Sequence, residues 1–249
     1  MSEVVWINAE DTRRSRVLMT RHGLSRPMQA LHEHNEEQKA PQIVERLLQG
    51  ESVALVSDAG TPLLSDPGYR LVTLAAEAGV EVITVPGPSS ITAALSVSGL
   101  PVDRFAFEGF LPSRQSARTK RLAGLSGESR TLVFFESSHR IRDSLADLEE
   151  VFGGDRQAAL CRELTKQFET VLRGPLADIR RRVDEDQNQC KGEIVLVVSG
   201  SAVSEESAFP AALELARELR EALGASQAAR LAARIHGVSR RELYRALED

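Results

Sequence analysis

Long apolar runs are missing from this chain. No stretch of about 18 such residues occurs, so no membrane-spanning helix is expected. Cysteine is scarce: Cys161 and Cys190 each stand alone, too few for a disulfide framework or a thiolate zinc cluster, and a reducing cytoplasm is the expected setting. The opening MSEVVWINAEDTRRS has neither a basic start nor an apolar segment, so no signal peptide is expected. Several catalytic fingerprints are absent as well. There is no G-x-G-x-x-G between a strand and a helix, no P-loop, no H-E-x-x-H and no G-x-S-x-G. The five histidines are scattered, and His32 and His34 in LHEHNEE read as part of a solvated loop rather than a metal site. No metal is expected.

What is present is a chain of 249 residues, 42% hydrophobic and 27% charged, long enough for two modest domains. Its net charge of -5 argues against bulk affinity for nucleic acid. The charge is nevertheless uneven. Arginines crowd residues 11–26 and 226–247, and residues 109–127 carry Arg114, Arg118, Lys120 and Arg121 with no acid. Three basic islands on an acidic protein could build a focused anion-binding face, although each alone also reads as a solvated helix face.

The order of patterns suggests an α/β fold. EVVWIN (3–8) reads as a strand, and TRRSRVLMTRHG as a helix ending at Gly23. Residues 39–50 read as a helix with Pro41 in its first turn, and VALVS (53–57) as a buried parallel strand. Asp66 is expected to cap a helix that runs to 78 and stops at Gly79. VEVITV (80–85) reads as the next strand. PGPSS cannot continue it, because Pro86 and Pro88 lack N–H groups, and reads as a hinge before a helix from Ser90 to about Ser98. FAFEGF, RTLVFFE, QAALCRE, FETVLRG and KGEIVLVVS are five further strands. Two of these, QAALCRE and FETVLRG, are close enough for a hairpin, which makes the second sheet mixed. After a linker at 200–208 come helices at 209–223, 226–236 and 239–247. Ser239 and Glu242 make a capping box, and the last two helices resemble a helix-turn-helix. The expected domains are therefore 1–86, 87–203 and 204–249.

Five loops carry the chemistry: SDAGTP, PGPSS, FESSHR, CRELTK and the start of KGEIVLVV. All sit at strand ends, where open α/β sheets bind ligands. In this order and spacing, VALVSDAGTPLLSDPGYRLV, VPGPSSITAALSVSGLP, FEGFLP, FFESSHR, CRELTKQFE and KGEIVLVV resemble the ribosomal RNA small subunit methyltransferase I family, a branch of the tetrapyrrole methylases. The resemblance runs from about Asn8 to the C-terminus. It implies two α/β domains, a parallel sheet then a mixed one, with a small helical C-terminal domain. It also implies a homodimer, S-adenosylmethionine between the domains, and 2′-O-methylation of a cytidine in the decoding region of small-subunit ribosomal RNA. Two other readings are a tetrapyrrole-type small-molecule methyltransferase and a non-catalytic nucleic-acid-binding protein.

Carried over residue by residue, the resemblance puts Asp58, Gly60, Thr61, Ser89, Ser90, Phe135, Leu164, Gly192 and Glu193 against the cofactor. Glu10, Asp11, Glu136, Glu163 and Lys166 are the candidates for the base or its partners. Glu163 and Lys166 could equally be an ordinary ion pair, and Lys166 could act as a base only with a lowered pKa. Arg13, Arg114, Arg118, Lys120, Arg121 and Arg140 are the expected phosphate contacts. Members of the family begin with a strand and a Thr-Pro-Ile-Gly-Asn-Leu-type loop before the segment that matches Ala9–Arg13. Here that segment lies almost at the start. The expectation is that a first βα unit is missing, leaving an exposed edge or an unfilled place in the first sheet.

Overall fold

A computed structural model describes residues 3–58, 60–201 and 205–248. The chain opens with β1 (Trp6–Ala9), α1 (Thr12–Arg21) and β2 (Met28–Ala30), followed by α2 (Glu33–Leu48), β3 (Val53–Val56) and α3 (Tyr69–Glu77). The three strands form a parallel sheet in the order β2-β1-β3. Trp6, Leu31, Ile43, Val44, Leu71 and Ala75 pack between this sheet and α2 and α3.

Several expectations for this lobe need correction. The strand β2 went unforeseen, being three residues long with no β-branched residue. Helix α2 starts at Glu33, not 39. The Asn35 side chain accepts from the His32 N–H at 3.0 Å, and Glu33 and Glu36 suit the positive end of the helix dipole. His32 is thus the cap of this helix rather than part of a solvated loop, and Pro41 lies inside the helix on its exposed side. Asp66 does not cap α3. The cap position is Gly68, with φ 126, and the buried Glu36 carboxylate accepts from the Gly68 and Leu71 N–H groups, each at 3.1 Å. Finally, 80–85 is not a strand. No described strand lies beside it to complete a ladder, and residues 81–88 are exposed, Val85 by 87%.

The second lobe starts with α4 (Ser90–Ser98), as expected, and contains β4 (Phe105–Phe110), α5 (Gln115–Ala123), β5 (Thr131–Ser137) and α6 (Ile141–Phe152). These precede β6 (Gln157–Arg162), β7 (Thr170–Pro175), α7 (Leu176–Glu185) and β8 (Glu193–Val198). Its sheet runs β4-β5-β8-β6-β7. Only β4 and β5 pair in parallel, and β6 with β7 forms the anticipated hairpin, so the sheet is mixed. The strand patterns explain its layers. Leu132, Phe134, Leu160 and Leu196 point to a face covered by α5, α6 and α7, while Val133, Ala159, Val195 and Val197 point to the face covered by α4. Burial on both faces is why these strands read as continuous apolar runs.

Helices α8 (Glu205–Leu223), α9 (Ala225–His236) and α10 (Arg240–Glu248) close the chain. Helix α8 begins four residues before the expected 209, and residues 202–204 of the anticipated linker lie outside the described residues. Ala212, Ala216, Ala229, Ala232 and Ala233 form much of their shared core, completed by Val238, Leu243 and Leu247. Small side chains let the helices approach closely. Ser239 caps the last helix by accepting from the Glu242 N–H at 3.4 Å. Among the described residues no helix is long and apolar enough to cross a membrane.

Candidate active site

Topology brings the loops together. Strand β8 runs antiparallel to both β5 and β6, so its first residues lie beside the last residues of those two strands. The ends of β4, β5 and β6 and the start of β8 therefore share one edge of the second sheet. Across from that edge stand the loop after β3 and the hinge before α4. Between them lies a cavity of about 570 Å³. Gly60, Thr61, Ser89, Ser90, Phe135, Leu164, Gly192 and Glu193 all line it, as do Glu136 and Lys166. Both lobes thus contribute, and all five loops singled out in the sequence meet there.

Its walls are largely apolar: Leu64, Ile91, Phe110, Phe135, Leu164 and Val195. Phe110 meets Phe135 edge to face, with ring centroids 5.6 Å apart. Thr61 Oγ1 donates to the Pro88 carbonyl at 3.4 Å, a direct link from the β3 loop to the hinge. Among the described residues, the only non-glycine residues with positive φ are Leu63, Ser65, Glu163 and Thr165. All four lie in the two loops facing each other across the cavity. Such backbone costs roughly 1–3 kcal/mol per residue and collects where a site needs a fixed shape.

The loop after β6 is the most tightly built. Arg162, buried, donates from Nε to Thr170 Oγ1 at 2.8 Å, from its terminal nitrogens to the Phe168 carbonyl at 2.7 Å and to the Lys191 carbonyl at 3.3 Å. Glu163 then bridges to the start of β8. Its N–H donates to the Glu193 carbonyl at 2.9 Å, and its carboxylate accepts from the Glu193 N–H at 2.8 Å. Lys166 Nζ reaches Glu163 at 2.8 Å and Glu193 at 3.1 Å. Gly192 makes this possible. It sits at φ +84, and a Cβ there would fall 2.3 Å from Glu163 Oε1. The glycine that the sequence suggests for cofactor contact is also the one that leaves space for a carboxylate.

These contacts settle charge states. Burial works against the Lys166 ammonium, but hydrogen bonds to Glu163 and Glu193 outweigh it and hold its pKa above the ordinary lysine range. The hydrogen bond from Lys166, then that from the Glu193 backbone, pulls Glu163 below the ordinary glutamate range. Lys166 is therefore a fixed cation in the cavity wall, not a free amine able to take a proton. Glu136 is equally committed. It is buried, paired with Arg140 at 2.8 Å, and accepts from the Ser137 N–H at 2.7 Å and the Ser144 hydroxyl at 2.5 Å. It shapes the loop after β5 rather than offering a free lone pair.

The structure puts three expected residues elsewhere. Glu10, Asp11 and Asp58 line a second, polar cleft of about 490 Å³ with Arg13, Arg14 and His32. Asp58 accepts from the Asp11 N–H at 3.1 Å, tying the β3 loop to the start of α1. Asp11 caps α1 through the Arg13 N–H at 2.8 Å and pairs with the Arg13 side chain, which lowers its pKa to about 2. Burial and the nearby Asp66 and Asp58 raise Glu10. Among the basic candidates, Arg114 and Lys120 face solvent, and Arg121 does so while pairing with Glu108. Arg118 does not. It is buried, with Nε 2.6 Å from Asp147 and Nη1 on the Pro112 and Ser113 carbonyls, so it fastens α5 to α6 and has no exposed face for a phosphate. Arg140 is spent on Glu136, Ser137 and the Leu111 carbonyl. Sequence reasoning missed Ser65, Asp66, Phe110 and Ser138 in the lining. FEGFLP and SDPG are visible as motifs, but local sequence suggests only a capping role for Asp66 and none for Phe110.

Residues 1–180 match the model of the tetrapyrrole (corrin/porphyrin) methylases, and residues 206–249 match the RsmI C-terminal HTH domain. A ribosomal RNA small subunit methyltransferase I of Xylella fastidiosa (strain Temecula1) is 53% identical over 97% of this chain and 88% of its own length. The chain belongs to the ribosomal RNA small subunit methyltransferase I family. Its Escherichia coli O157:H7 relative is 47% identical over 98% of this chain and 85% of its own length. Fold similarity extends to a solved cobalamin biosynthetic enzyme, cobalt precorrin-4 methyltransferase, with TM-score 0.57 and 15% identity over 80% of this chain and 84% of that one. At that identity the likeness concerns architecture alone.

Proposed function

We propose that this protein transfers a methyl group from S-adenosylmethionine to a cytidine ribose 2′-hydroxyl in the decoding region of small-subunit ribosomal RNA, acting in the cytoplasm as a homodimer. The observation that carries this reading is the meeting of all five loops at one cavity in a chain about half identical to enzymes of that name. The residues present fit the cofactor. A volume of about 570 Å³ is in the range of small-molecule sites, and the wall offers apolar and aromatic surface for a purine together with backbone polar groups.

In this reading Gly60, Thr61, Ser89 and Ser90 hold one side of S-adenosylmethionine, and Phe135, Leu164, Gly192 and Glu193 the other. When bound, the cofactor supplies an activated methyl group whose leaving thioether is neutral, so no protein acid is needed. The chain's own contribution is orientation, worth up to about 7–11 kcal/mol, and removal of the hydroxyl proton. Lys166, held charged, suits an anionic part of either substrate. Arg13, Arg114, Lys120 and Arg121 are exposed cations that suit RNA phosphates, as do the arginines of the closing helices.

The direct test is incubation of the chain with small ribosomal subunits and methyl-labelled S-adenosylmethionine, followed by alkaline digestion and mass spectrometry. A methylated, alkali-resistant cytidine dinucleotide is the expected product. Label on a base, or none with donor demonstrably bound, would contradict the ribose assignment. Product formation should also fall steeply with added salt, which a small-molecule acceptor would not produce.

A further inference from the structure

The attacking hydroxyl must lose its proton, and the cavity's carboxylates are not equally able to take it. Glu136 is surrounded by donors, and Glu163 and Glu193 hold Lys166. Asp66 differs. It lines the cavity, and its Oδ2 is buried without a hydrogen-bond partner. The helix-capping role its sequence position suggests is taken by Glu36, which accepts from both the Gly68 and Leu71 N–H groups. A buried carboxylate oxygen without a partner, on a residue that lines a cavity, costs stability, and folds keep such groups where chemistry needs them. The two residues before it stand at or beside positive φ, and Ser65 itself has φ 63, so a strained loop fixes its position.

We propose that Asp66 is the general base of the transfer, its carboxylate accepting the proton of the attacking hydroxyl. This rests on the ribose-methylation reading above. The sulfur–methyl bond breaks with its electron pair left on sulfur, an oxygen–methyl bond forms, and the hydroxyl proton passes to Asp66 and then to solvent. The surroundings match the task. Burial, and after it the charge of Asp58, raises the Asp66 pKa from the ordinary aspartate range, against a hydrogen bond from the Ser57 side chain. Glu10, itself raised in part by Asp66, is the other acid nearby. A carboxylate moved toward neutral pH is a stronger acceptor than an ordinary one.

The test uses the full chain with Asp66→Asn, Asp66→Glu and Ser57→Ala. Single-turnover transfer at saturating donor is followed across about pH 5 to 9, donor affinity is measured by calorimetry, and the Asp66 carboxyl is titrated by carbon-13 NMR without donor. Asp66→Asn should slow transfer about 10²–10⁴-fold with donor affinity within about threefold, and should remove the acid limb of the rate profile. Asp66→Glu should recover part of the rate, and Ser57→Ala should move the acid limb to higher pH. In the donor-free protein Asp66 should titrate above ordinary aspartate. Native turnover in Asp66→Asn, a loss confined to donor affinity, or an ordinary Asp66 titration would each overturn the assignment. A wild-type chain that methylates a base instead of ribose sinks the ribose reading and this assignment together. Native turnover of Asp66→Asn on ribose sinks only the assignment.

Discussion

The two sheets were built from similar runs of valine, leucine and isoleucine, yet they are covered differently. In the second lobe β5, β6 and β8 are buried almost throughout, with helices on both faces. In the first lobe β3 is only half-buried along its whole length, and residues 81–88 beyond α3 are exposed. An apolar strand gains its full stabilisation only when both faces and both edges are covered. The second lobe therefore provides a firm floor, and the first provides a wall held by fewer contacts: Glu36 under α3, Asp58 on α1, and Thr61 on the hinge. The cavity sits where the two meet.

Phe134→Ala should break the firmer lobe, removing a fully buried ring and costing about 3–5 kcal/mol in denaturant unfolding. Arg118→Ala, which strands Asp147 in the interior, should cost about 3 kcal/mol, much more than Lys120→Ala on the same helix. Gly192→Ala should lower turnover about 10- to 100-fold and cost about 1–3 kcal/mol of stability, because the new methyl stands at positive φ and displaces Glu163 and with it Lys166. Leu55→Ala in the half-buried strand should cost only about 1–2 kcal/mol. Equal losses for Phe134→Ala and Leu55→Ala would erase the contrast between the lobes.

The smallest effect concerns pH. Asp66 has a raised pKa in the fold, so the folded state binds its proton more tightly than the unfolded chain does. Its ionisation therefore lowers stability as pH rises from the ordinary aspartate range through the folded value. Asp66→Asn should raise the melting temperature at pH 7 by about 1–2 °C, an advantage that disappears in acid where both forms are neutral. Glu163 has the opposite sign: its lowered pKa adds stability above the ordinary glutamate range that is lost as pH falls through the folded value. Glu163→Gln should thus be harmless in acid and destabilising at neutral pH.

The second lobe was the more legible in sequence, because strands covered on both faces announce themselves as unbroken apolar runs. β5, β6 and β8 follow from that, while α4 was marked by the proline-rich break before it and the β6–β7 hairpin by the short spacing of its strands. The first lobe misled at the points where distant residues decide local structure. VEVITV has strand composition but no ladder partner among the described residues. α2 starts early because Asn35 turns back on His32, and α3 is capped from thirty-two residues away by Glu36. The site loops were readable as motifs at strand ends. The states of their charges were not, since Lys166 is fixed by Glu193 and Arg118 by Asp147, pairings that only the fold creates.

Hydrogen exchange of the chain with and without S-adenosylmethionine tests the shared cavity most directly. Slowed exchange is expected at 60–65 and 89–91 in the same sample as at 135–138, 164–166 and 192–195, so that both walls respond together. Slowing confined to one lobe, or absent from all five segments at saturating ligand, would contradict a site assembled from the two.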